Sequence, residues 1–193
     1  MDVTLSKPNY LLVITGPPAS GKSTLGLKLA EELQLPFISK DNIKELLFDA
    51  LGWKDRNWSK ELGRASLNIL YHVLEMNLQV KKPLIIETAF YREEESEKLR
   101  KIKRTYSIKS IQIYCFATAE VLRKRFLERV LINNRHPGHG DIAVAKTEYD
   151  RLDIFDRYGE LDIGGSIVRV DTSDFSKVEY EAVFQTIKDL IGR

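Results

Sequence analysis

The sequence predicts an α/β fold: a parallel sheet covered by helices on both faces. Three observations carry this expectation. Short apolar runs alternate with stretches of helical periodicity along the chain. The first apolar run, Tyr10–Thr15, ends on a glycine and leads directly into a helical pattern. No repeat, low-complexity stretch or linker divides the 193 residues, so one domain over 1–193 with a sizeable core is expected.

Each element follows from its residues. Tyr10–Thr15 reads as a buried strand, and Lys22–Leu33 as a helix with Leu25, Leu29, Ala30 and Leu33 at helical spacing. Residues 36–38 form a short second strand. Helices follow over Lys40–Leu51 and 58–81, the second marked by Leu67, Leu70, Leu74 and Leu78 on one face. Leu84–Glu87, introduced by Pro83, is the third strand. A charged helix over 93–104 precedes the fourth strand, 110–116. A strongly basic helix over 120–131 leads into a loop, 133–141, rich in breakers: Pro137, Gly138 and Gly140. Residues 142–155 read as helical, 166–170 as the fifth strand and 177–191 as a closing helix. In open parallel sheets the ligand sits beyond the carboxyl ends of the strands.

Composition narrows the functional classes. Hydrophobic residues at 43% and charged residues at 30% fit an ordinary soluble globular protein. The 30 Lys and Arg nearly balance the 28 Asp and Glu. That gives no global electrostatic case for nucleic acid and leaves only a local basic groove open. A single cysteine, Cys115, excludes an internal disulfide and suits a reducing cytosol; its apolar run, 111–116, makes it a buried strand residue. The polar N-terminus is no signal peptide, and no apolar stretch approaches the ~18 residues of a membrane span. A cytoplasmic protein without a membrane partner is therefore expected.

The segment Gly16-Pro17-Pro18-Ala19-Ser20-Gly21-Lys22-Ser23, followed by Thr24, satisfies G-x-x-x-x-G-K-[ST] between a strand and a helix. Its fixed positions match by chance in roughly one chain of this length in a hundred, before the strand and helix are required. Backbone N–H groups at a helix N-terminus neutralise a polyphosphate, and the glycines let the loop curl close to its oxygens. The pattern predicts ATP and Mg²⁺ as cofactors, with Lys22 reaching the β- and γ-phosphates and Ser23 ligating the metal. Two carboxylates share that rim. Asp41 follows the second strand and Glu87 ends the third. One can take the proton of an acceptor hydroxyl, and the other can hold the metal or touch substrate. Asp41 also suits an N-cap, and the two functions are compatible.

These residues resemble the P-loop kinase superfamily, and more narrowly the zeta-toxin and chloramphenicol-phosphotransferase-like kinases grouped among AAA-type ATPases. The resemblance covers nearly the whole chain through residues 16–24, Ser39-Lys40-Asp41, Ile86-Glu87-Thr88-Ala89-Phe90, Arg125-x-x-x-Arg129 and Val170-Asp171-Thr172-Ser173. It implies a three-layer α/β/α P-loop NTPase fold, five parallel strands in the order 2-3-1-4-5, and a small helical lid at about 125–145. It implies that Asp41 is the base and that Thr172, after the fifth strand, lies near the adenine. Such kinases commonly end the third strand in Asp; Glu87 stands here instead, which leaves its role open between metal and substrate.

Arg125 and Arg129 fall at i, i+4 on the basic helix, where guanidinium forks suit the charge of a transferred phosphoryl group. Arg135 and His136 in the breaker loop are candidate substrate contacts. His136, His139 and Asp141 supply too few ligands for a metal unless substrate or water completes them. The expectation is thus an ATP-dependent phosphotransferase acting on a hydroxyl of a small molecule or nucleotide. A nucleic-acid 5′-hydroxyl kinase, a nucleotide-sugar kinase of the zeta-toxin type and an ATP-binding regulatory switch are the alternatives. Oligomeric state is not readable from the sequence.

Overall fold

A computed structural model describes residues 9–132, 135–142, 145 and 157–192. Its sheet has five strands: β1 (Tyr10–Thr15), β2 (Phe37–Ser39), β3 (Leu84–Glu87), β4 (Lys109–Phe116) and β5 (Ser166–Asp171). All pairings are parallel, in the order β2-β3-β1-β4-β5. The helices are α1 (Lys22–Leu33), α2 (Lys40–Leu51), α3 (Arg56–Gln79), α4 (Arg92–Tyr106), α5 (Ala119–Ile132) and α6 (Tyr180–Ile191).

Strand periodicity explains the three layers. In β1, every residue is buried. Tyr10, Leu12 and Ile14 point to one side, into a core built with Leu25 and Leu29 of α1 and Phe184 and Ile187 of α6. Leu11 and Val13 point to the other, against Leu70 and Leu74 of α3 and Leu99 and Ile102 of α4. A central parallel strand needs apolar residues on both faces because helices cover both. The fold class and strand order expected from the sequence are those observed.

Several boundaries differ from the sequence expectation. Helix α3 begins at Arg56, two residues early, because the Asp55 side chain accepts from the Trp58 backbone N–H at 2.9 Å and caps it. The closing helix begins at Tyr180, three residues late. Asp174 caps a separate 3₁₀ turn over Phe175–Lys177, and Val178 and Glu179 leave it in non-helical conformations. Within the breaker loop, Pro137–His139 forms another 3₁₀ turn. The helix expected over 142–155 lies outside the described residues apart from Ile142 and Ala145, both helical. Cys115 is buried in β4 and free. No helix among the described residues is long and apolar enough to cross a membrane.

Candidate active site

The phosphate-loop pattern occupies the turn between β1 and α1. Gly16 has φ 141°, and a Cβ there would stand 2.1 Å from the Cys115 carbonyl oxygen, so the loop presses directly on β4. Gly21, at φ 77°, caps α1. Lys22 opens the helix and is almost completely buried; its ammonium donates to the Pro17 carbonyl at 2.7 Å and closes the loop on itself. Burial pushes that ammonium below its ordinary pKa, and the Glu87 charge opposes the shift. Pro18, Ala19, Gly21, Lys22, Ser23 and Thr24 line a cavity of about 710 Å³, while Gly16, Pro17 and Ser20 are buried behind them.

Sheet register sets the carboxylates on this cavity. Glu87 pairs with Ile14 of β1 on one side and Ser39 of β2 on the other. Its Oε2 accepts from the Ser39 hydroxyl at 2.6 Å and from the Ser23 hydroxyl at 3.4 Å. Glu87 is 4% exposed, and burial pushes its carboxyl up, partly offset by Lys22 and the Ser39 hydroxyl. The Ser23 hydroxyl and Glu87 carboxylate form an oxygen pair of the kind Mg²⁺ takes, which it supplements with water and phosphate oxygens. Among the described residues no group of three His, Cys, Asp or Glu could hold a metal by itself.

Asp41 sits in the first turn of α2 and is tuned the opposite way. It makes a short ion pair with Arg135 and lies 3.5 Å from the Lys40 ammonium. Burial alone would raise its carboxyl. The Arg135 guanidinium, with Lys40 behind it, outweighs that and holds the carboxyl well below the usual range. Asp41 is therefore fixed in its ionised form, while Glu87 is a desolvated carboxylate held by hydroxyls.

The basic helix contributes two guanidinium groups to the cavity. Arg125 donates to the Ser173 carbonyl at 3.1 Å, and its guanidinium stacks 3.7 Å from the centre of the Phe175 ring. Its Nη1 is buried and has no hydrogen-bond partner among the described residues. Arg129 lies 3.4 Å from Asp141, which also receives Arg135 at 3.2 Å. A small cluster of Leu122 and Phe126, packed against Ala19 of the loop, fixes α5 over the site.

The segment from Arg135 to Asp141 docks on α2. Phe48 of α2, 1% exposed, stacks on His136 at 4.9 Å and meets His139 edge-on at 5.4 Å. His136 Nδ1 accepts from the Gly138 N–H at 3.0 Å, which puts its proton on Nε2, facing Asp49 at 3.2 Å. His139 Nε2 lies 2.8 Å from Glu45.

Of the residues singled out in the sequence, Lys22, Ser23, Thr24, Asp41, Glu87, Arg125, Arg129 and Arg135 converge on this cavity. Two do not. The Thr172 hydroxyl donates to the Phe116 carbonyl at 2.8 Å, extending the β4–β5 ladder, and the residue of that edge that lines the cavity is Phe175. His136 borders a separate cavity of about 80 Å³ and is consumed by Asp49; His139 is the histidine that lines the main cavity. Sequence reasoning also passed over Lys44 and Arg56. Lys44 had a readable signal, since it stands three residues after Asp41 on the same helical face. Arg56 had none, because only the packing of α3 against α2 brings it in. Among the neighbouring aromatic residues, Tyr91 lines the cavity, stacked on Tyr158 at 5.5 Å. Phe90 is buried core, and Trp58 donates to the Gly52 carbonyl.

Comparison with known proteins identifies the family and the fold. Residues 11–152 match the AAA domain family. A structure from Chloroflexus aurantiacus, described as a candidate kinase, is 34% identical; the alignment covers 95% of this chain and 98% of that one, with a TM-score of 0.82. Chaetomium thermophilum Kti12 in complex with ADP-AlF3 is 22% identical over 94% of this chain and 98% of that one, with a TM-score of 0.64, a likeness of fold. Cytidylate kinase of Ignicoccus hospitalis is 48% identical over 42 residues, 22% of this chain and 24% of that protein, so the match spans about a quarter of that relative. The chain belongs to the AAA domain family and, with its loop, its strand order and these neighbours, to the P-loop kinase superfamily.

Proposed function

We propose that the protein is an ATP-dependent phosphotransferase, moving the γ-phosphate of Mg·ATP to a hydroxyl of a small molecule or nucleotide. The observation that carries this is the convergence of a phosphate loop, two oppositely tuned carboxylates and four arginines on one cavity. A switch needs the loop alone. An acceptor reaction also needs a fixed carboxylate facing the acceptor and cationic groups over the transferred phosphoryl.

In this reading the loop amides and Lys22 hold the triphosphate, and the Lys22 ammonium leaves the Pro17 carbonyl for phosphate oxygens. Bound Mg²⁺ would supply charge neutralisation between the phosphates, held by Ser23 and, directly or through water, by Glu87. Asp41 accepts a hydrogen bond from the acceptor hydroxyl. That oxygen bonds to the γ-phosphorus, the bond to the bridging oxygen breaks, and ADP leaves. The hydroxyl proton passes to Asp41. A carboxylate held so far down in pKa is a weak base, which suits a loose transition state where orientation matters more than early proton removal. Arg125, Arg129 and Arg135 face the developing charge from a lid at about 125–145, within a single domain over 1–193.

The test is a screen of hydroxyl metabolites with γ-labelled ATP, repeated with Asp41→Asn. We expect transfer by the wild type. The variant should lose about 10²- to 10⁴-fold in kcat with unchanged ATP affinity. Full turnover by Asp41→Asn removes Asp41 from this role, and no transfer to any hydroxyl overturns the reading.

A further inference from the structure

We infer that the acceptor carries an oxyanionic group, a phosphate or a carboxylate, and that Lys44 and Lys40 bind it where α2 packs on α3. This rests on the phosphotransferase reading and names the substrate class for that site.

The starting point is Lys44. It lines the cavity, is 7% exposed, and stands one helical turn beyond Asp41. Its ammonium donates to the Ser59 hydroxyl on α3 at 2.9 Å and lies 5.1 Å from the centre of the Phe48 ring. Among the described residues no carboxylate lies within ion-pair distance of it. An ammonium has three donors and a full charge, and here one neutral oxygen and one ring face serve it. Burying a charge without a counter-ion is costly, and a fold that needed only packing at this position would place an apolar side chain there.

A second ammonium stands beside it. A Cβ on Gly63 of α3 would lie 3.8 Å from the Lys40 Nζ and 3.8 Å from the Lys44 Nζ. The two nitrogens are therefore no more than 7.6 Å apart, the sum of those distances, and glycine at 63 puts no side chain between α3 and either of them. Arg56, at the first turn of α3, lines the same cavity. Among the described residues the carboxylate that acts on Lys44 is that of Asp41, already engaged by Arg135 and Lys40. Burial, with Lys40 repelling it, brings the Lys44 ammonium down to about 8, the direction that an incoming anion would reverse. Asp41 and Lys44 stand three residues apart on α2, ~4.5 Å along its axis, and both line the cavity, so one small molecule can bring an anion to Lys44 and a hydroxyl to Asp41. A purely structural Lys44, tying α2 to α3 through Ser59, would gain nothing from a second ammonium beside it, whereas an anion would be met by both.

The test needs no turnover. The protein is saturated with Mg²⁺ and a non-hydrolysable ATP analogue, so that the phosphate loop is filled. Inorganic phosphate, and acetate in a second arm, are then titrated calorimetrically. We expect one further site in the wild type, weakened at least tenfold in Lys44→Met and several-fold in Lys40→Gln, with the affinity for the ATP analogue unchanged in both. Tighter phosphate assigns a phosphorylated acceptor, and acetate binding as tightly as phosphate assigns a carboxylated one. Should Lys44→Met fail to fold, the partly exposed Lys40→Gln carries the test. Binding of neither anion by the wild type, or equal binding by the variants, overturns the inference. A protein that holds the anion but phosphorylates nothing loses the kinase reading alone. One that phosphorylates neutral alcohols and binds neither anion loses this inference alone.

Discussion

Adding one methyl group at Gly138 should release the docked segment from α2. Gly138 has no positive φ, so its backbone accepts alanine, and any effect is steric. The new Cβ would stand 2.7 Å from Phe48 Cγ and Cδ2 and 2.8 Å from Cδ1. Ordinary contact begins near 3.4 Å, so the two sides must separate by about 0.7 Å, the difference of those distances. The ring cannot swing away. It is 1% exposed, with His136 stacked on one side and His139 edge-on. Overpacking of this kind costs about 1–3 kcal/mol, which is a shift of about 5- to 150-fold toward the undocked segment. Hydrogen exchange reads it directly. The amides of Gly138, His139 and Gly140, bonded to His136 Nδ1, the His136 carbonyl and the Pro137 carbonyl, should lose protection by that factor. Those of β1 and β4 should not change. Because the segment carries Arg135 to Asp41, transfer activity should fall while ATP binding holds. Phe48→Leu in the same chain should recover part of the protection. Unchanged exchange in Gly138→Ala would refute the reasoning, since it would mean that Phe48 does not hold the segment.

Two further predictions concern stability. Gly26→Ala should destabilise by about 1–2 kcal/mol, although alanine is favoured over glycine within a helix by about 1 kcal/mol. The added Cβ would lie 2.4 Å from Phe37 Cε2 and 3.2 Å from Ile14 Cδ1, and a urea midpoint above wild type would refute this. Arg135→Gln should let the Asp41 carboxyl rise, since burial is then less opposed, and should cost about 1 kcal/mol at neutral pH because 44% of the Asp41 side chain faces solvent. A depressed carboxyl stabilises above its unfolded pKa, 3.8, and loses that contribution as pH falls through the lower folded value. The wild-type advantage should therefore be flat from pH 5 to 8 and shrink below about 4; an advantage that grows on acidification would contradict the pairing.

The parts of this protein that were legible in its sequence are those whose signal is local. The apolar run of β1, the helical spacing of Leu25 and Leu29, and the spacing of Gly16, Gly21 and Lys22 are fixed within a few residues of themselves. Strand order came from family resemblance, because no local signal tells β4 to pair with β1. The positions less legible in the sequence all depend on what a distant element supplies. Thr172 looked available until the Phe116 carbonyl, 56 residues away in sequence, took its hydroxyl. His136 and His139 are equally exposed to inference as a pair in one loop. Only the position of Phe48 decides that His136 turns to Asp49 and His139 to the cavity. Arg56 enters through the packing of α3 on α2. Helix boundaries moved for a smaller reason, since Asp55 and Asp174 were each free to cap either a helix or a turn.

A common physical logic runs through the charged groups of the cavity. Lys22 rests on the Pro17 carbonyl, Glu87 on the Ser39 hydroxyl and Asp41 on Arg135. Each buried or half-buried charge has a stand-in partner, which removes most of the penalty for holding it out of water. The stand-in also lowers the net gain when a ligand replaces it, so in the proposed reaction the triphosphate displaces one good contact with another. Lys44 breaks the pattern, because a hydroxyl and a ring are poor substitutes for a counter-ion. The gain on binding the ligand's complementary group is therefore largest at Lys44, which takes an anion, and smallest at Asp41, which takes a hydroxyl. An acceptor anchored through its anion can present its hydroxyl to Asp41 without relying on that weak exchange for affinity. Discrimination among acceptors should then follow the anion and its distance from the hydroxyl more than the hydroxyl itself.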